Sequence, residues 1–78
     1  MPARRYSYSV SASRYATLQD KHGPGVPDFA VQIVYIGSSE RLASFHFTRA
    51  CRAQMHDELA YCVTLKRSGE VIAKVKPL

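Results

Sequence analysis

The stretch from Phe29 to Phe47 constrains the fold most, because an apolar run with turn residues at both ends has to be buried. Residues 29–36, FAVQIVYI, are rich in the β-branched and aromatic side chains that strands favour. Pro27 and Asp28 precede this run, and Gly-Ser-Ser-Glu at 37–40 follows it. These turn residues bound it at strand length, so we predict a strand over 29–36.

Residues 41–47 alternate, with Ala43, Phe45 and Phe47 on one side, which predicts a second strand and a hairpin. Opposed residues of an antiparallel pair share a face of the sheet. The pairing that makes one face apolar joins Tyr35 to Ala43, Ile33 to Phe45 and Val31 to Phe47. A slip of one residue would expose Phe45.

Thr48 is a candidate N-cap for a helix that runs to about Leu59 or Ala60. Cys51, Met55 and Leu59 recur at intervals of four residues and form a narrow apolar stripe. We predict that this stripe covers the aromatic face of the sheet, with Met55 and Leu59 packed on Phe45, Phe47 and Ile33.

A second hairpin is predicted from Tyr61–Leu65 and Glu70–Val75. A two-residue loop would place Val63 opposite Lys74. A three-residue loop, Arg67-Ser68-Gly69, instead pairs Leu65 with Val71, Val63 with Ala73, Tyr61 with Val75 and Lys66 with Glu70. We predict the three-residue loop, because it keeps one face apolar and places Gly69 where a left-handed residue is needed.

The N-terminal part alternates tyrosine and serine over 6–12, which predicts a strand with one face on the core. Its serine face has no charge and either faces water or lies against a partner or a second subunit. Residues 13–19 are predicted to form a short helix, and 20–28, rich in glycine and proline, a mobile loop.

Together these elements predict one α+β domain over 1–78, with a hairpin, a helix and a second hairpin after the first strand. A single antiparallel sheet of four to five strands carries the main helix on one face. No apolar run is long enough for a membrane span, and no signal peptide is recognised. We therefore expect a cytoplasmic protein without membrane contact, monomeric or weakly dimeric through an unpaired edge at the first strand or at Val71–Val75.

The candidate chemical groups do not predict an enzyme. Cys51 and His56 are spaced poorly for a shared helix face, and no CxxC or HExxH spacing suggests zinc. Cys51 and Cys62 fall at core-type positions and are predicted to be free, buried thiols. We therefore expect a non-enzymatic protein with no cofactor and no metal.

The net charge of +5, from eleven Lys and Arg against six Asp and Glu, favours an anionic partner. We predict that the exposed basic residues form the partner-binding surface, with Lys66, Lys74 and Lys76 sharing the outward face of the last hairpin. The set comprises Arg4, Arg5, Arg14, Arg49, Arg52, Lys66, Arg67, Lys74 and Lys76.

The two hairpins (Val31 to Phe47 and Tyr61 to Val75) and the single helix from Thr48, in fewer than 80 residues, make an outline that resembles small phage- and mobile-element-encoded proteins, among them anti-CRISPR proteins. The resemblance implies an inhibitor that docks on a host CRISPR–Cas effector complex and blocks target binding or nuclease recruitment. It also implies action in the bacterial cytoplasm. Many proteins of that group are acidic and mimic DNA, whereas this chain is basic, so its partner would be an acidic protein surface or an exposed nucleic-acid strand of the complex.

Tyrosines interleaved with basic residues favour a second hypothesis, a sequence-tolerant nucleic-acid-binding protein. Aromatic side chains stack on bases while lysine and arginine neutralise phosphates. Tyr6 and Tyr8, however, share a face with Val10 and Ala12, which predicts that they belong first to the core.

Overall fold

The computed structural model describes residues 6–76, which form four strands and two helices. In chain order these are β1 (Tyr8–Tyr15), α1 (Leu18–His22), β2 (Phe29–Gly37), α2 (Glu40–Gln54), β3 (Ala60–Arg67) and β4 (Glu70–Val75). The strands pair antiparallel in one sheet with the order β2-β1-β3-β4. The predicted α+β fold, with one antiparallel sheet and one main helix, is confirmed.

Helix α2 packs across one face of the sheet, and the core lies in this contact. Val10 of β1 and Val63 of β3 are fully buried, and they cluster with Ala43 and Ala50 of α2. The alanines lack long side chains, so the helix approaches the sheet closely. Fully burying a valine side chain contributes about 1.5–3 kcal/mol, and so these two valines are central to the stability.

The predicted strand over 41–47 is wrong, because these residues belong to α2. Ser39 is the N-cap: its backbone is extended, and its side chain accepts a hydrogen bond from the Leu42 N–H at 3.2 Å. Ala43 and Ala50 lie seven residues apart on the buried face of the helix. The segment thus has apolar residues at both strand spacing and helix spacing, and its pattern alone does not distinguish the two structures. The Ser39 cap favours the helix.

Because that segment is helical, β2 pairs with β1 and not with a hairpin partner. Ile33 lies opposite Ser11, whereas Val10, the neighbour of Ser11, faces α2. Ile33 is therefore on the face away from the helix. The predicted packing of Met55 and Phe45 is also wrong, since both side chains are exposed.

The N-terminal strand is confirmed and extends further than predicted, to Tyr15. Tyr8 and Val10 are buried, and Ala12 packs on the core beside them. This agrees with the predicted alternation, in which the serines point to the other face.

The predicted helix over 13–19 is wrong, since its first residues continue β1. Helix α1 begins after Thr17, whose hydroxyl accepts a hydrogen bond from the Asp20 N–H at 3.1 Å. The segment predicted as a loop, 20–28, is therefore helical as far as His22.

The β3–β4 hairpin is confirmed, but its predicted three-residue loop is wrong. Arg67 lies opposite Glu70, so that the loop is Ser68-Gly69 alone. Both loop residues have positive φ, 51° and 83°. This is the backbone of a type I′ turn, whose twist matches that of the strands.

A β-bulge in β4 explains why the predicted register failed. The pairs in the structure are Lys66–Val71, Leu65–Ala73 and Val63–Val75. Ile72 is thus an extra residue on β4, and it brings the apolar residues back into phase after the short turn. The sequence argument assumed an unbroken ladder and so placed the extra residue in the loop.

The start of α1 predicts a local pH dependence. The hydrogen bond from the Thr17 hydroxyl, and then the one from the Asp28 N–H, hold the pKa of the Asp20 carboxyl below its ordinary value of 3.8. A lowered pKa in the folded state means that these bonds stabilise the fold above the unfolded pKa of about 3.9. That stabilisation is lost as the pH falls through the folded value.

In an NMR titration, the carboxyl carbon of Asp20 should therefore report a midpoint below 3.8. The Asp20→Asn variant is the control, because the transition assigned to the Asp20 carboxyl must be absent from it. A midpoint at or above the ordinary value in the native protein would contradict the hydrogen bonds at this cap.

Candidate binding surface

Within residues 6–76, no helix packs on the face of the sheet opposite α2, and we call this face the open face. Ser9, Ser11 and Ser13 form a row along the middle of this face. On the β2 side they lie opposite Ile36, Ile33 and Val31, and on the β3 side opposite Lys66, Thr64 and Cys62. Since opposed residues share a face, the register fixes the composition of the open face.

Four large apolar side chains line the β2 side of the open face, and we call them the apolar row. Their exposed fractions are 41% for Phe29, 61% for Val31, 55% for Ile33 and 68% for Ile36. The serine row beside them has no charge. Monomeric proteins seldom expose contiguous apolar patches larger than a few hundred Å², and larger ones mark interaction sites.

Lysines occupy the other side of the same face. Lys66 lies opposite Ser9, and Lys74 lies opposite Thr64, so both point away from α2 as the sequence predicted. Val71 of β4 lies opposite Lys66 and therefore shares this face. The open face is therefore apolar towards β2 and positively charged towards β4.

An aromatic cluster lies at one end of the sheet. The rings of Tyr15, Phe29 and Tyr61 have centroid distances of 4.6–5.5 Å. The Nζ atom of Lys76 lies 5.3 Å from the centroid of the Tyr61 ring, within the range of a cation–π interaction. Strands β1, β2 and β3 thus bring three rings together, and Lys76, directly after β4, adds a cation.

The remaining predicted basic residues do not join the open face. Arg14 pairs with Asp57 at 3.3 Å, and together with Arg49 it lines a cleft between α2 and the sheet. Arg67 packs over the Tyr6 ring at 4.8 Å. Arg52 is exposed on α2, and Arg4 and Arg5 lie outside the described residues.

The cleft between α2 and the β1–β2 part of the sheet has a volume of about 540 Å³. Its walls include small residues such as Ala12, Ala30 and Ala53, and Gln54 is also part of the lining. Among the described residues, the Gln54 side-chain nitrogen donates to the Ser13 carbonyl at 3.4 Å, while its Oε1 atom is buried without a partner. That oxygen has almost no accessible surface, so it offers little contact to a bound molecule.

The cysteines and histidines do not converge. Both cysteines are free, with Cys62 buried and Cys51 partly buried, and burial raises the pKa of the Cys51 thiol. A raised pKa makes a thiol less reactive, because the thiolate is the nucleophile. His46 stacks on Tyr35 at a centroid distance of 5.2 Å. Within residues 6–76, no group of three or more His, Cys, Asp and Glu side chains is arranged to hold a metal ion.

The sequence reasoning found the lysines of this surface and missed its apolar row. It assigned Val31 and Ile33 to the core, because it gave them a cover from the residues that form α2. One signal was available. A chain with one main helix can cover only one face of a four-stranded sheet, and residues 29–36 have large apolar side chains on both faces, with Gln32 as the polar exception.

The fold and the surface define a small α+β protein in which one face of the sheet is left uncovered by the described residues. Comparison with protein-family models, with curated proteins and with solved structures found no match. Across the described part of the chain, neither helix has the length and hydropathy needed to cross a membrane.

Proposed function

We propose that this protein is a non-enzymatic binding protein that docks on a macromolecular partner through the open face. The observation that carries the proposal is the apolar row, whose members are between 41% and 68% exposed beside an uncharged row of serines. Small serine side chains leave the middle of the face flat, so a partner surface can come close. Burying apolar area of this kind is the main favourable term in association.

The charge of the surface favours an acidic partner. Lys66 and Lys74 lie on the open face, and the chain has a net charge of +5. Complementary charge speeds encounter and selects the partner, while the apolar contact supplies most of the affinity. The partner class we propose is therefore an acidic protein surface or a nucleoprotein effector complex.

Within that class, we propose inhibition of a bacterial CRISPR–Cas effector by occlusion, as expected for a small protein encoded by a phage or mobile element. The support is a four-stranded sheet that, within residues 6–76, carries its main helix on one face only, so the other face can mask a surface without any chemical step. Bound in this way, the protein would prevent target binding or nuclease recruitment by covering the site where they occur.

The test uses a panel of purified, guide-loaded effector complexes and measures target-DNA binding and cleavage with the protein present. A Lys66→Glu/Lys74→Glu variant should lose at least tenfold in inhibitory potency, about 1.4 kcal/mol. The control is Arg41→Glu/Arg52→Glu, which changes the charge equally but on exposed positions of α2. Equal losses from both variants, or no inhibition of any complex by the native protein, would reject the proposal.

The aromatic cluster favours a second candidate function, binding of single-stranded nucleic acid. Tyr15, Phe29 and Tyr61 lie together with Lys76, and stacked bases with neutralised phosphates are the usual basis of such binding. Affinity for an oligonucleotide should then fall steeply with salt, with a slope of about −0.7 for each phosphate contacted. Absence of binding at low salt in fluorescence anisotropy would eliminate this candidate.

A further inference from the structure

In the part of the chain that the structure describes, strand β2 is an edge strand without the features that normally protect an edge. It is terminal in the strand order, and its nine residues include no charged residue and no proline. Unpaired N–H and C=O groups on such an edge can pair with another strand, and proteins usually block this with charges, prolines or short strands. The opposite edge, β4, is shorter and carries Glu70, Lys74 and the bulge at Ile72.

Apolar side chains are exposed on both sides of this edge. On the open face, Val31 and Ile33 are more than half exposed. On the helix side, Leu42 and Phe45 of α2 are about half exposed. The ring of Phe45 contacts that of His46, which stacks on Tyr35 of β2, so this part of α2 lies over β2.

We infer that the free edge of β2 pairs with β2 of a second copy of this chain, in an antiparallel arrangement about a two-fold axis. The composition of β2 favours a second copy, because its uncharged and largely apolar residues can lie opposite a copy of themselves. Two chains of net charge +5 repel each other, but β2 contributes no charge to the contact. Lys74 of β4 is three strands away from β2, and Lys66 of β3 is two strands away.

The bulge in β2 selects the register. Val10 lies opposite Tyr35 and Ser11 opposite Ile33, so Val34 is the extra residue, and regular alternation extends only over 29–33. Pairing Val31 with its own copy places Phe29 opposite Ile33 and keeps all three on the open face of both chains. A slip of one residue would oppose side chains from different faces.

This dimer would join two open faces into one surface of eight strands. The two apolar rows would meet in the middle, and the lysines of the two β4 strands would lie at the outer edges. An apolar centre with a charged rim is typical of protein interfaces. The role of this joined surface in docking rests on the proposed function. The dimer itself does not, because it forms between two copies of this chain alone.

The first test is sedimentation equilibrium of the purified chain alone. The native protein should dimerise, and Val31→Lys should weaken association at least tenfold, since it places two lysines directly opposite each other. Val71→Lys is the matched control, because it adds the same charge at an exposed valine of the opposite edge. Urea unfolding followed by circular dichroism checks that both variants are folded.

Val31→Cys provides the second test, because a cysteine opposite its own copy can form a disulfide across the two-fold axis. Mild oxidation should yield covalent dimer from Val31→Cys and far less from Val71→Cys or from the native chain. A monomeric native protein, a dimer unaffected by Val31→Lys, or equal cross-linking at both positions would overturn the inference.

Salt dependence separates this contact from nucleic-acid binding. Added salt screens the repulsion between two positive chains, so dimerisation should strengthen or stay constant as salt rises. A dimer that dissociates in salt would contradict a contact made through the uncharged β2. Dimer formation and effector inhibition are measured separately, so a monomer that still inhibits would reject the dimer and leave the proposed function standing.

Discussion

Replacing Val10 with aspartate is expected to leave the protein largely unfolded at 25 °C. Val10 has no exposed surface and lies in the cluster that joins β1, β3 and α2. A buried carboxylate without a partner costs several kcal/mol. A chain of 78 residues has a total stability of only about 4–12 kcal/mol at typical values per residue.

The control for this variant is Val71→Asp, the same chemical change at an exposed valine of β4. Because Val71 is 50% exposed, the free energy of unfolding should fall by about 1 kcal/mol or less. A milder variant, Val10→Ala, should remain folded and lose on the order of 2 kcal/mol. Urea unfolding followed by circular dichroism measures all three, and equal midpoints for Val10→Asp and Val71→Asp would contradict the packing of α2 on the face of the sheet that holds Val10.

Proline at position 44 is the second substitution with a large expected effect, because it tests whether 40–54 is one helix. Ser44 is exposed in the interior of α2, so the change removes no core contact. Proline there deletes the hydrogen bond from residue 44 to the Glu40 carbonyl and clashes with that carbonyl. The cost is about 3 kcal/mol or more, and denaturant unfolding should show the loss.

Glu40→Pro is the matched control, because Glu40 is the first residue after the cap. The N–H of a first helical residue has no partner inside the helix, and proline is common at that position. Ser39 before it has φ −92° and ψ 112°, which a residue preceding proline readily adopts. If both variants unfolded at the same denaturant concentration, α2 would not begin at Glu40.

The lysines and the apolar row of the open face differed in how far they could be predicted. Lys66 and Lys74 were placed on the outward face even though the predicted register was wrong, since the short turn and the bulge at Ile72 compensate each other. Val31 and Ile33 were assigned to the core, because strand pattern alone does not say which of two apolar faces is covered.

The basic residues illustrate the limits of composition. Charge and exposure selected Arg14, Arg49 and Arg67 together with the lysines. The fold places Arg14 and Arg49 at the cleft beside α2 and Arg67 at the Tyr6 ring. Residues distant along the chain form one surface only if strand order and pairing bring them together, and composition contains no information on either.

By itself, the sequence determined the four strands and the fold class, because alternating side chains and turn residues act within a few positions of each other. Examples are the tyrosine–serine alternation of β1, the apolar run of β2 and the place of the last turn near Gly69. Only the tertiary structure decided that β2 pairs with β1 and that 41–47 is helical. The seven-residue alternation suited a strand as well as a helix. The Ser39 cap and the packing of Ala43 and Ala50 on Val10 and Val63 stabilise the helix and leave the other face of the sheet uncovered.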